Sequence, residues 1–284
     1  MKGKSAIITG GSQGLGLKIA EEFLKQGANV IICARNQKKI DFALEKLKPF
    51  CIDNTVIGTV ADISNHDMCE NLISTCLKKL GHINILINNA GIHGAKGPLD
   101  EVDWQSWESA IDINLKGTAF LCKIALPYMK KQRSGKVIIL SGGGATKPMP
   151  FMSAYAASKA ALVRFGESLA MEVKPFNIDV NMVAPGALNT HLLEDILAAG
   201  PKLIGEEKYQ QALSQQKNGG DDLNRAAKLC VFLASEESNG ITGKLISAIW
   251  DPWENLLHYR DQLMDSDIYT LRRITPNDRN KDWT

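Results

Sequence analysis

Tyr155 and Lys159 stand four residues apart in the run from Ser141 to Lys159, SGGGATKPMPFMSAYAASK. On a helix this spacing puts the phenol and the ammonium side by side on one face. An unperturbed tyrosine titrates near pH ~10 and exchanges protons poorly at neutral pH, whereas a neighbouring cation favours the phenolate and lowers that value. The pair is therefore a candidate general acid and base. Such pairs also arise by chance, as a half-buried tyrosine beside a solvated lysine, so the meaning of this one depends on its surroundings.

Those surroundings alternate between strands and helices. Residues 5–9 form a short apolar run, and Gly10-Gly-Ser12-Gln13-Gly14-Leu15-Gly16 then opens an amphipathic stretch through Gln26. Strand, glycine turn and helix is the order of a unit that binds a dinucleotide: glycines let backbone approach phosphate, and the helix N-terminus offers free N–H groups. An ordinary glycine turn is the competing reading. A second strand, Asn29–Cys33, ends at Arg35, where NAD would call for a carboxylate on its ribose 2′-hydroxyl. A guanidinium suits a 2′-phosphate, which points to NADP rather than NAD. A third strand over 55–60 closes at Asp62 and Ile63, where the carboxylate can accept from an adenine amino group or cap the next helix.

A fourth strand over 83–87 runs into Asn88-Asn89-Ala90-Gly91, which either satisfies backbone groups in a turn or leaves room for a ribose. A long helical region from Asp103 to Lys131 contains Asn114, which if buried must be paired, and which either staples a neighbouring strand or lines the site. Strands over 135–141 and 178–183 flank helix 153–173, and the latter strand ends in Ala184-Pro185-Gly186. The segment 187–220, broken by Gly200-Pro201 and Gly219-Gly220, reads as a mobile substrate lid. A helix over 221–234 and a strand near 244–249 complete the pattern. The expected fold is α/β: a Rossmann-type, doubly wound parallel sheet of about seven strands in one domain, residues 1–250. The extension 251–284 is too short to fold alone. With Trp250 before it and Trp253, Leu256, Leu257, Tyr259 and Tyr269 within it, it is expected to cover the cleft or cross to a partner subunit.

Composition narrows the function classes. A net charge of +2 gives no argument for nucleic acid or an anionic membrane as partner, and no apolar run approaches the ~20 residues of a membrane span. The N-terminus lacks the long apolar core of a signal peptide, so a cytoplasmic protein is expected. Six cysteines without a C-x-x-C pair read as reduced core thiols, and five histidines without H-x-x-x-H spacing indicate no metal.

Taken together, Thr9-Gly10-x-x-x-Gly14-x-Gly16, Asn88-Asn89-Ala90-Gly91, Asn114, Tyr155-x-x-x-Lys159 and Pro185-Gly186-x-x-x-Thr190 resemble the motifs of the short-chain dehydrogenase/reductase family, over Lys4 to about Ile249. The resemblance implies an NADP-preferring oxidoreductase interconverting a ketone and a secondary alcohol. Tyr155 would be the general acid/base, and Lys159 would lower its pKa and hold the nicotinamide ribose. Asn114 would support a water in a proton relay. The glycine loop, Arg35, Asp62, Ile63, Asn89, Ala90 and Gly91 would bind the cofactor, with Pro185, Gly186 and Thr190 at its nicotinamide end. A homodimer or homotetramer through 103–131 and 153–173 is also implied.

Two departures stand out. The family's substrate-binding serine lies thirteen positions before the tyrosine, which here is Gly142, with Ser141 one place off. A triglycine run can re-aim the chain, so Ser141 is expected in that role; the alternative is a site without that donor. The family's usual Asp-Gly-Gly after the last strand is replaced by Ile249-Trp-Asp-Pro-Trp. His93, Lys96, Lys147 and His191 would suit a polar, sugar-like small molecule. A catalytically silent NADP-binding regulator, favoured by Gly142, and a sugar-nucleotide dehydratase or epimerase are the competing readings; the glycine spacing favours the compact reductase branch.

Overall fold

The computed structural model describes residues 1–283. The apolar, β-branched runs form seven strands: β1 (Ser5–Thr9), β2 (Asn29–Ala34), β3 (Val56–Val60), β4 (Ile85–Asn88), β5 (Gly135–Leu140), β6 (Ile178–Ala184) and β7 (Leu245–Ser247). They pair in parallel in the order β3-β2-β1-β4-β5-β6-β7. β1, β4 and β5 are buried along their whole length, as strands covered on both faces must be.

The crossovers are helical: α1 (Gly14–Lys25), α2 (Gln37–Leu47), α3 (His66–Leu80), α4 (Trp104–Ala110) and α5 (Thr118–Gln132), then α6 (Ser153–Val173). Side-chain caps fix three of their starts: Asn36 for α2, Asn65 for α3 and Asp103 for α4. The helix expected from Asp103 is interrupted, because Ile111–Gly117 between α4 and α5 is a π-helical turn. Between β6 and β7 lie α7 (His191–Ile204), α8 (Glu206–Asn218) and α9 (Leu223–Ala234). The segment read as a lid is thus mostly helical, with α7 broken at Gly200, whose φ of 72° is left-handed.

Alternate strand residues feed two cores. Ile8, Val30, Ile32, Ile85 and Ile138 pack against Ile19 and Phe23 of α1 and Leu229 and Leu233 of α9. Ile7, Ile31, Leu86, Val137 and Ile139 pack on the other face against Leu72 of α3, Leu121 of α5 and Leu162 of α6. Burying each such side chain stabilises the fold by ~1.5–3 kcal/mol. The winding reverses between β1 and β4, and the crevice at their C-terminal ends is where this architecture binds ligands.

β7 is shorter than its apolar run, since Asp251 accepts from the Ser247 amide at 2.7 Å and turns the chain. Beyond it, Trp253, Leu256 and Leu263, the last in α10 (Arg260–Met264), join the first core. Tyr269 is half-buried, whereas Trp250, Leu257 and Tyr259 are exposed. The Leu245 amide donates to the Tyr269 carbonyl at 2.7 Å, and Glu167 of α6 accepts from the Leu271 amide at 2.6 Å. No helix among the described residues is long and apolar enough to cross a membrane.

Candidate active site

A cleft of about 990 Å³ opens over the β1/β4 switch point. The glycine loop forms its floor. Gly10 and Gly14 take φ of 63° and 54°, and a Cβ on Gly16 would stand 2.4 Å from the Gly10 carbonyl oxygen, so only glycine fits there. No side chain caps α1, which leaves its first-turn amides facing the cleft. The loop is braced from β4: Asn89 Nδ2 donates to the carbonyls of Thr9 (2.8 Å) and Gly10 (3.2 Å), and Thr9 Oγ1 accepts from the amides of Asn89 and Ala90, each at 3.0 Å. Asn89 therefore shapes the cradle through its amide.

Ser12, Gln13, Leu15, Ile63, Ala90, Gly91, Pro185, Gly186 and Thr190 line the same cleft. Asp62 lines it too, with Oδ1 engaged by the amide (2.9 Å) and hydroxyl (2.7 Å) of Ser64. The capping alternative for Asp62 is corrected, because Asn65 caps α3. Arg35 is exposed at the rim and bonds to no described residue, while Lys39, one turn into α2, donates to Gln13 Oε1 at 3.0 Å. Lys39 was not anticipated; its place three residues after the α2 cap is the signal that could have shown it. A Cβ-free cradle and an uncapped helix start fit a dinucleotide, and two cations stand at one end of the cleft.

Across the cleft, α6 presents Tyr155 and Lys159 with Nζ 5.6 Å from the ring centre. Lys159 is buried and donates to the Leu140 carbonyl at 2.7 Å. Burial pushes the Tyr155 phenol up to about 12 and the Lys159 ammonium down to about 8. The phenol beside Lys159 is thus raised rather than lowered as expected, and desolvation is the cause.

Ser141 is corrected as well. Its hydroxyl is buried and donates to the Lys159 backbone carbonyl at 3.3 Å, bracing β5 to α6. Gly142 is the residue that faces the tyrosine, since a Cβ there would lie 3.1 Å from the phenol oxygen. The glycine run does not re-aim the chain before this point: Gly142 is extended, with φ 174° and ψ 177°, and adjacent residues keep opposite directions. Asn114, expected among the catalytic groups, does not line the cleft. It is fully buried in the π-helical turn, accepting from the Ile92 amide and donating to the Ile92 carbonyl and Ser158 Oγ, each at 2.9 Å. It is a positioning residue for the loop after β4.

That loop carries His93, which is 4% exposed and meets the Tyr155 ring edge-on at 4.7 Å between centroids. His93 Nδ1 lies 3.3 Å from a carboxylate oxygen of Asp195 in α7, and Lys96 Nζ reaches the same oxygen at 2.8 Å. Burial, reinforced by Lys96, drives the imidazole down to about 4, so it is neutral at physiological pH. Asp195 escaped the sequence reading because the contact spans 102 residues. Lys147 and His191 also line the cleft, and Thr190 caps α7, its hydroxyl accepting from the Leu192 amide at 3.4 Å.

The chain is an NAD(P)-dependent oxidoreductase. It belongs to the short chain dehydrogenase family, whose model matches residues 4–199. A Caenorhabditis elegans protein, dehydrogenase/reductase SDR family member 4, is 36% identical over 245 residues, covering 86% of this chain and 93% of its own. Levodione reductase superposes with a TM-score of 0.80 at 24% identity, over 87% of this chain and 96% of its own. NAD+-bound xylitol dehydrogenase gives 0.79 at 22%, over 87% and 97%. At these identities the two structures establish the fold.

Proposed function

We propose that the protein interconverts a ketone and a secondary alcohol with NADP as its preferred cofactor. The observation that carries this is the Tyr155 hydroxyl facing the cleft with buried Lys159 behind it, opposite the glycine cradle. The nicotinamide would supply or accept the hydride. Tyr155 holds the proton: with its phenol high, it is a donor at neutral pH, which suits reduction. Lys159, charged below about 8, stabilises the phenolate that the transfer leaves. Asn114 and Ser141 act through the backbone they hold.

The preference for NADP rests on the end of β2. Arg35 and Lys39 stand there without a carboxylate to claim a ribose hydroxyl, and a guanidinium pairs well with phosphate. The same reading includes a small-molecule substrate and a homodimer or homotetramer, supported by Trp104, Tyr128 and Met171, which are exposed on α4, α5 and α6.

The test is NADPH and NADH consumption over a panel of ketones. NADPH turnover should fall by ~10²–10⁴ in Tyr155→Phe, the usual worth of a general acid. Ser141→Ala should retain most of it, since that hydroxyl faces a backbone carbonyl. Tight NADPH binding with no turnover would favour the silent regulator instead.

A further inference from the structure

Beside Tyr155, position 142 offers a bound ketone no hydroxyl donor. Something else must fix the substrate's second point of attachment. The side chain built for that is His93. Asp195 is ionised: burial raises its carboxyl, but the bond and charge of Lys96 outweigh this and hold it below its ordinary value. A carboxylate only accepts, so the hydrogen of the neutral imidazole sits on Nδ1 and its lone pair on Nε2. Nε2 has no partner among the described residues, and His93 lines the cleft beside Tyr155.

A lone pair cannot bind a ketone oxygen; it selects a hydrogen-bond donor. We propose that the substrate carries a hydroxyl on the carbon next to the reacting one, so that the site takes α-hydroxy ketones in reduction and vicinal diols in oxidation. That hydroxyl donates to His93 Nε2 while the carbonyl accepts from Tyr155. The second anchor has moved from the carbonyl oxygen to its neighbour. Asp195 comes from α7, so the segment over the cleft sets the tautomer on which the selection depends. Lys96 holds Asp195 ionised and keeps it from protonating in step with the imidazole. The inference rests on the ketone–alcohol reading and narrows its substrate class.

The test compares 3-hydroxybutan-2-one with butan-2-one, using the purified full chain and NADPH. The hydroxy ketone should have the higher kcat/KM by on the order of 10² or more, since a site built to bind a hydroxyl rejects the analogue lacking it. In His93→Phe the ratio should collapse to within a few fold of one, and Asp195→Asn, which frees the tautomer, should lower it partway. NADPH binding by fluorescence titration checks that each variant is folded. Equal turnover of the two ketones by the parent overturns the proposal and leaves the oxidoreductase reading standing. So does a preference that survives in His93→Phe. Turnover of neither ketone, nor of any other ketone in the panel, overturns both.

Discussion

At position 142 the chain turns a glycine, with no side chain, toward the Tyr155 phenol. The backbone there is extended and accepts any residue, and the one close neighbour of an added Cβ is the Tyr155 oxygen at 3.1 Å. Gly142→Ser should therefore fold and place a hydroxyl beside the phenol. The expected result is a gain of about tenfold in kcat/KM for simple ketones, the worth of one ~1.4 kcal/mol hydrogen bond to the carbonyl. Unchanged or lower activity on simple ketones would show that the site does not use a donor at this position. A second prediction concerns protons. Lys159, near 8, is cationic at neutral pH and loses that charge as pH rises through about 8, while Tyr155, near 12, keeps its proton throughout. In the proposed mechanism, reduction needs both protons in place. Its rate should be level from pH 6 to 7.5 and decline about tenfold per unit well above 8. A level profile to pH 10 would remove Lys159 from the mechanism.

Among the elements, those legible in the sequence are those whose signal is local. The β1 run, the glycines that follow and the period of α6 each lie within a few consecutive residues, and the strands fall within a few residues of their expected bounds. Three things needed the folded chain. The π-helical turn holding Asn114 lies in a stretch whose helical pattern runs without a break. The direction of residue 142 depends on whether a glycine run bends, and it does not bend until Gly143 begins a short 3-10 turn. Asp195 meets His93 only because α7 folds back over the loop after β4. The end of β2 lies between these cases: Arg35 was visible as an exception to a carboxylate, and Lys39 only once α2 was placed. Since each charge-assisted hydrogen bond contributes ~1.5–3 kcal/mol, Arg35→Ala should raise the KM for NADPH by about 10–100-fold and barely alter that for NADH. Kinetics with both cofactors decide this, and equal losses for the two would mean that Arg35 does not read the phosphate.

For the molecule as a whole, the open question is what the C-terminal extension does for a sheet that is already complete. Trp253, Leu256 and Leu263 are buried in the first core, and Trp253 Nε1 donates to the Ala248 carbonyl at 3.2 Å. Further on, Lys244 Nζ donates to the carbonyls of Ser266 (2.8 Å) and Ile268 (3.1 Å), and the Leu271 backbone is held from α6 by Glu167 and Arg164. Since α6 also carries Tyr155 and Lys159, and Tyr269 and Thr270 line the cleft, the extension supports the site as well as the core. Leu256 and Leu263 lie within 254–284, and two buried apolar side chains at ~1.5–3 kcal/mol each amount to about 3–6 kcal/mol, against a total stability of ~5–15 kcal/mol for a domain. Deleting residues 254–284 should therefore lower Tm by roughly 6–24 °C, at ~2–4 °C per kcal/mol, and reduce turnover with it. Deleting only 272–284 removes mostly exposed residues and the ion pairs of Arg272 with Asp267 and Asp278, which solvent screens. That shorter truncation should leave Tm and turnover near those of the parent. Thermal melts and NADPH assays on the two truncations separate the possibilities. If the longer deletion is as stable and active as the shorter one, the extension is a passenger on the domain, and the bonds from α6 to Leu271 do nothing for the catalytic face.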